Sequence, residues 1–232
     1  MRMLLTSDGV LDGPAHGALI DLLDKPISEC RTVVVLDAVL PFAGDKTRML
    51  EHVQTYRELG WAECDVLTLF SGPASGIESR LRAADVIFCY GGSNHWLAHA
   101  WVTSGLAPVL RELLDEKVYV GLSAGSMIFS KLHAAAVDAL DDHDEVEILQ
   151  LESVGPALPL FDWFIVPHLG ASFFPHSTDE WAAGVAARLG GASWFLEDGS
   201  ALLVRDLAQG PEVISNGHWL HFDADGVLVG SH

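Results

Sequence analysis

The chain has 232 residues, of which half are hydrophobic and seven are tryptophan, so it is long and apolar enough for one domain with a large core. It carries 32 acidic and 13 basic side chains, a formal net charge of −19 at pH 7. This charge argues against nucleic acid or an anionic membrane surface as a partner. From the length and composition we predict a single domain spanning residues 1–232.

Apolar, β-branched strands alternate with helical segments through the first 130 residues. The strands are predicted at 3–6, 32–40, 65–70, 85–90 and 118–121. The helices are predicted at 15–23, 45–59, 76–84, 95–103 and 108–115. This alternation is typical of βαβ units and predicts an α/β fold with a doubly wound, mostly parallel sheet. In such sheets, functional sites form at the carboxyl ends of the strands.

The second part of the chain is less regular. A strand at 163–166 ends at Pro167-His168, and an amphipathic helix is predicted at 178–189. Short strands then follow at 194–196, 201–204, 212–215 and 219–222. Asn216-Gly217 lies between the last two strands and has the composition of a two-residue hairpin turn.

The sequence Gly121-Leu122-Ser123-Ala124-Gly125 has the G-x-S-x-G pattern of a nucleophile elbow. It lies between a buried strand and a predicted helix start, which is the context that this motif requires. The glycines leave room for a sharp turn that would expose the Ser123 hydroxyl at the edge of the sheet. We therefore predict that Ser123 is a catalytic nucleophile; the alternative is an ordinary Gly-Ser turn.

Histidine is the usual base for a serine nucleophile, and His168 is the best placed of the eleven histidines. It follows a predicted strand, and so lies at the same sheet edge as Ser123; a loop histidine bonded only to backbone is the alternative. The rival histidines are His95, His99, His133 and His176. The first two are spaced for metal binding, but no third ligand is evident, so no metal is expected.

A catalytic histidine also needs a carboxylate to orient it. An acidic run follows the predicted nucleophile and contains Asp138, Asp141, Asp142, Asp144 and Glu145. Most of such a run should be solvated surface, and spacing alone does not choose among its members. For the oxyanion we predict two backbone donors, the N–H groups of Gly92, in a Gly-Gly turn, and Ala124.

Four motifs, in this order, resemble the S51 serine peptidases, a family that includes aspartyl dipeptidase (peptidase E) and cyanophycinase. They are Leu40-Pro41-Phe42-Ala43-Gly44, Gly91-Gly92-Ser93-Asn94, Gly121-Leu122-Ser123-Ala124-Gly125 and Pro167-His168. The resemblance implies a doubly wound sheet similar to class I glutamine amidotransferases, which is flavodoxin-like. It also implies a Ser-His-Asp or Ser-His-Glu triad, with the serine at Ser123, the histidine at His168 and the acid fifteen positions after the serine, at Asp138.

The resemblance further implies a serine exopeptidase that hydrolyses short peptides, above all dipeptides with an N-terminal aspartate, through an acyl-enzyme. Peptidase E carries an arginine soon after the histidine segment, whereas this chain has no basic residue between His176 and Arg188. Lys46 and Arg48 are expected to supply the cation instead. We expect Asn94 to contact the substrate as well.

Two other functions fit part of the pattern. An α/β-hydrolase esterase shares G-x-S-x-G, but its histidine usually lies near the carboxyl terminus, and here much further structure follows His168. A non-catalytic binding relative of the same fold is the other alternative. We predict a small peptide as the partner and no cofactor, and a homodimer is compatible with the sequence.

The remaining signals concern location. The three cysteines lie far apart and form no C-x-x-C motif, as is typical of a protein from a reducing cytoplasm. The amino terminus becomes polar by residue 6, so no signal peptide is predicted, and no apolar run reaches the roughly 18 residues of a membrane span.

Overall fold

The computed structural model describes residues 1–232. The strands are β1 (Arg2–Thr6), β2 (Arg31–Val35), β3 (Glu63–Leu67), β4 (Val86–Cys89), β5 (Val118–Leu122), β6 (Trp163–Val166), β7 (Ala192–Leu196), β8 (Ala201–Val204), β9 (Glu212–Ile214), β10 (Trp219–Phe222) and β11 (Leu228–Ser231). The helices are α1 (Gly13–Leu22), α2 (Thr47–Arg57), α3 (Ala74–Ala83), α4 (Asn94–Thr103), α5 (Ala107–Glu116), α6 (Ala124–Met127), α7 (His133–Leu140), α8 (His143–Ile148) and α9 (Asp179–Leu189). None of these helices has the length and apolar character needed to cross a membrane.

A seven-stranded sheet in the order β3-β2-β4-β5-β1-β8-β9 forms the centre. Its first five strands are parallel, and β8 and β9 run antiparallel to their neighbours. Successive strand residues face opposite sides: Leu5 packs with residues of α3, α4 and α5, whereas Leu4 packs with residues of α1 and α2. Helices therefore cover both faces, which confirms the predicted α/β fold with a mostly parallel, doubly wound sheet.

Strand β2 is shorter than the sequence predicts. The apolar run over 32–40 suggested one long strand, but β2 ends at Val35 and Asp37–Val39 form a 3₁₀ turn. The buried carboxylate of Asp37 accepts the backbone N–H of Leu69 at 2.9 Å, which anchors this turn at the carboxyl edge of the sheet.

A second sheet of four strands, in the order β11-β10-β7-β6, packs beside the first. Its apolar residues, such as Phe164 and Phe195, belong to the same hydrophobic core as Leu5. Within this sheet β6 and β7 are parallel, so their carboxyl ends lie side by side.

The predicted hairpin at Asn216-Gly217 is wrong, because β9 pairs with β8 while β10 pairs with β7. The two segments thus belong to different sheets. The Ser215 hydroxyl accepts the Gly217 N–H at 2.9 Å and lies 2.7 Å from the Ser200 hydroxyl, and these contacts hold the chain where it crosses between the sheets.

Candidate active site

Ser123 lies in a strained turn at the carboxyl end of β5. Its φ of 51° and ψ of −113° are unfavourable for a residue with a side chain, at about 1–3 kcal/mol. Both motif glycines are required by close contacts: a Cβ on Gly121 would lie 2.6 Å from backbone atoms of Gly125, and a Cβ on Gly125 would lie 2.2 Å from the Cys89 carbonyl oxygen. The segment after Ser123 forms only a single helical turn, α6.

Hydrogen bonds connect the Ser123 turn to the neighbouring strands. The Tyr119 hydroxyl donates to the Gly125 carbonyl at 2.7 Å, and the buried Ser126 hydroxyl lies 2.8 Å from the Thr6 carbonyl and 2.9 Å from that of Gly121. The turn is therefore attached to the adjacent strand β1 as well as to β5. This rigidity holds the Ser123 hydroxyl in one place without the help of a long helix.

His168 follows β6, and its imidazole Nε2 lies 2.9 Å from Ser123 Oγ. The residue adopts φ 65°, a left-handed conformation that is uncommon outside glycine. Its backbone N–H donates to the Ser7 hydroxyl at 2.8 Å, which stabilises this conformation. The predicted approach of His168 to Ser123 is thus present, and the serine comes from the seven-stranded sheet while the histidine comes from the four-stranded one.

The carboxylate that contacts His168 is Asp198 and not the predicted Asp138. Asp198 Oδ1 lies 2.6 Å from His168 Nδ1. Asp138, in contrast, faces solvent on α7 with 81% of its side chain exposed and pairs with His143 at 3.1 Å. The reason is the strand order: β7 runs parallel to β6, so the turn after β7 reaches the same edge as His168, whereas α7 does not.

Ser7 connects the parts of this group. Its hydroxyl accepts from the His168 N–H and donates to Asp198 Oδ1 at 2.9 Å. Burial alone would raise the pKa of Asp198, but the bond and charge of His168 and the Ser7 hydroxyl outweigh this effect, so the pKa lies below its usual range. Asp198 is therefore held as a carboxylate, which is the state that can orient an imidazole.

One predicted oxyanion donor, Ala124, follows Ser123 directly, and the other, Gly92, lines the same cavity as Ser123. Gly92 has a φ of 132°, and a Cβ there would lie 2.3 Å from the Ala38 carbonyl oxygen, so no larger residue fits. The Gly-Gly turn lies close to the serine, because a Cβ added to Gly91 would lie 3.1 Å from the Cβ of Ser123.

Two cavities meet at Ser123 and His168. The larger, here called the Arg48 cavity, is also lined by Lys46, Asp8 and Phe173 and has a volume of about 460 Å³. The Arg48 guanidinium lies 5.1 Å from the centre of the Phe173 ring, and the Lys46 ammonium donates to a backbone carbonyl at 2.7 Å. Both predicted cations therefore line the same cavity as Ser123, and neither forms a salt bridge with a carboxylate.

The smaller cavity, here called the Glu145 cavity, has a volume of about 180 Å³ and is lined by Asn94, Asp142 and Glu145 in addition to Ser123 and His168. Asn94 thus also lies where the sequence predicts substrate contact.

The rival histidines take other positions. His95 and His133 are buried behind the Glu145 cavity, the His99 ring contacts Trp96 at a tilt of 32°, and His176 lines the cavity wall. His95 and His99, four residues apart on α4, make separate contacts and share no ligand position. None of the four hydrogen-bonds to Ser123, whose imidazole partner is His168.

Comparison with known proteins gives one family. The model of peptidase family S51 matches residues 3–209. A crystal structure of a candidate peptidase E from Listeria monocytogenes EGD-e superposes with a TM-score of 0.71 at 19% identity, covering 91% of this chain and 96% of that one. A peptidase from an acI-B1 actinobacterium gives a TM-score of 0.69 at 16% identity, with 100% and 93% covered. No curated protein matches.

Proposed function

This chain belongs to peptidase family S51, and we propose that it is a serine exopeptidase that cleaves short peptides through a Ser123-His168-Asp198 triad. One observation carries the proposal: the three side chains form a continuous series of hydrogen bonds, of 2.9 and 2.6 Å, where two cavities meet. A strained serine with an oriented histidine is the arrangement that acyl transfer requires.

The reaction follows from this geometry. As the Ser123 hydroxyl oxygen attacks the scissile carbonyl carbon, His168 Nε2 takes its proton, and Asp198 stabilises the resulting imidazolium. The N–H groups of Gly92 and Ala124 donate to the oxyanion. The imidazolium then protonates the leaving amine, which departs and leaves an acyl-enzyme. Water activated by His168 hydrolyses this ester and restores the serine.

The proposed substrate has an acidic N-terminal residue, as in dipeptides that begin with aspartate. Arg48 supports this, because it lines the same cavity as Ser123 and forms no salt bridge with Asp8 or Asp45, the carboxylates that also line it. Its planar guanidinium can bind a carboxylate with two parallel hydrogen bonds. Lys46 is a weaker candidate, since its ammonium is already bonded to the Phe42 carbonyl.

Hydrolysis of aspartyl p-nitroanilide, compared with the leucyl anilide and a p-nitrophenyl ester, tests the proposal. Ser123→Ala should lower kcat by several orders of magnitude, with an unchanged melting temperature. Arg48→Gln should lower kcat/KM for the aspartyl substrate by about 10²-fold, whereas Arg57→Gln, an exposed change on the same helix, should not.

Three outcomes would contradict the proposal. Turnover of the ester alone would indicate an esterase. Absence of all turnover, together with no labelling of Ser123 by a fluorophosphonate, would indicate a binding protein. Equal rates on the aspartyl and leucyl anilides would reject the acidic preference while leaving the serine mechanism intact.

A further inference from the structure

The Glu145 cavity contains polar groups that the proposed hydrolysis does not use. Two carboxylates, Asp142 and Glu145, line it together with Ser123. Two buried imidazoles, His95 and His133, lie behind Asp142. None of these four side chains hydrogen-bonds to the proposed triad, and the place of the two carboxylates at the cavity wall points to contact with a ligand.

Asp142, His95 and His133 already contact one another. His95 Nε2 lies 3.1 Å from the Asp142 carboxylate, and His95 Nδ1 lies 3.3 Å from His133 Nε2. His133 Nδ1 lies 3.3 Å from the Met127 carbonyl oxygen. The carboxylate of Asp142 thus has an imidazole partner within the protein.

Glu145, the other carboxylate of the cavity wall, has no imidazole or cationic side chain bonded to it. Its one side-chain partner is the Ser93 hydroxyl, which donates at 2.5 Å while its oxygen caps α4 by accepting the Trp96 N–H. Burial raises the pKa of Glu145 by more than the Ser93 hydrogen bond and the nearby His95 imidazole lower it, as expected for a carboxylate that has lost water. A cation bound in the cavity would compensate for the lost water.

Asn94 adds an unused donor at the same wall. The residue is 5% exposed, and its Nδ2 has no hydrogen-bond partner although it lines the cavity. Because a buried donor without an acceptor is unfavourable, a fitting ligand carries an oxygen close to its cation. The N-terminal residue of a peptide has this combination, an α-ammonium one carbon away from a carbonyl group.

We propose that Glu145 binds the free α-ammonium of the substrate and that Asn94 donates to an oxygen of the same residue, which restricts the enzyme to peptide N-termini. The inference rests on the proposed serine peptidase function, and it assigns each end of the peptide substrate to one of the two cavities. The Glu145 cavity has less than half the volume of the Arg48 cavity, about 180 against 460 Å³. A terminal group therefore suits the smaller cavity, and the acidic side chain and leaving residue suit the larger one.

The test compares aspartyl p-nitroanilide with its N-acetyl derivative. Glu145→Gln keeps an oxygen for the Ser93 hydroxyl but removes the charge, so the helix cap survives. It should lower kcat/KM for the free-amine substrate by about 10- to 100-fold, mainly through KM, and leave the slow cleavage of the acetylated one unchanged. Glu147→Gln, an exposed change on the same helix, is the control and should alter neither rate.

Binding to an inactive background separates this inference from the proposed function. In Ser123→Ala, the added Glu145→Gln change should weaken the affinity for Asp-Ala by at least about tenfold and leave that for N-acetyl-Asp-Ala unchanged. Equal effects of Glu145→Gln and Glu147→Gln in both assays would overturn the assignment even if the aspartyl anilide is cleaved. A loss confined to Asp-Lys, with Asp-Ala unaffected, would overturn it in favour of a basic leaving residue.

Discussion

The exchange Asp198→Asn tests the proposed acid most directly, because asparagine has nearly the same shape and keeps an acceptor oxygen for His168. Both His168 Nδ1 and the Ser7 hydroxyl contact Asp198 Oδ1, at 2.6 and 2.9 Å. The exchange removes the negative charge of Asp198, which faces the His168 imidazolium that forms during attack. Two unit charges about 4 Å apart attract by about 4 kcal/mol at an effective dielectric constant of about 20.

Solvent reduces this value, since 33% of the Asp198 side chain is exposed. A remaining effect of about 3–4 kcal/mol corresponds to a fall in kcat of about 10²- to 10³-fold. The assay is steady-state hydrolysis of aspartyl p-nitroanilide by variants whose melting temperatures match that of the parent. Asp138→Asn is the matched control and should change kcat by less than about threefold, because its carboxylate is 81% exposed. A crippled Asp138→Asn together with an active Asp198→Asn would refute the assignment.

Two further predictions concern buried groups near the site. Ser7→Ala removes the hydroxyl shared by His168 and Asp198, and kcat should fall by about tenfold; an unchanged kcat would show that Ser7 does not position the triad. Burial raises the pKa of Asp37 to about 6 from an unfolded value of 3.8, so its ionisation destabilises the fold as the pH rises from about 4 to about 6. Asp37→Asn, whose oxygen can still accept the Leu69 N–H, should therefore gain up to about 3 kcal/mol over the parent between pH 4 and pH 7.5 in urea unfolding; a pH-independent difference would contradict this.

The parts of the site that the sequence predicts are those with local signals. The glycines around Ser123 mark a turn whose geometry depends on a few neighbouring residues, and the same contacts are present in the structure. His168 was identifiable because it directly follows an apolar strand. The parallel sheet, too, follows from the alternation of strand and helix patterns, since each βαβ unit is itself local.

Asp198 has no such signal. It follows His168 by thirty residues, with α9 between them, and only the pairing of β7 with β6 brings the two together. The rule that sites form at the carboxyl ends of parallel strands could have suggested it, because Asp198 lies in the turn just after β7. The sequence, however, does not reveal that β6 and β7 are neighbours. The acidic run after Ser123 offers no choice among its members, and the prediction of Asp138 rests on the family resemblance alone; in the structure that run is partly exposed surface and partly the wall of the Glu145 cavity.

The division of the proposed triad between two sheets has a consequence for how the protein gains activity as it folds. Ser123 and Ser7 come from the seven-stranded sheet, whereas His168 and Asp198 come from the four-stranded one. A nascent or partly unfolded chain in which only the parallel strands β1 to β5 have formed has Ser123 but no base to activate it. Under the proposed mechanism, hydrolysis therefore requires that the two sheets have docked, and an incompletely folded molecule would have no means of cleaving peptides around it.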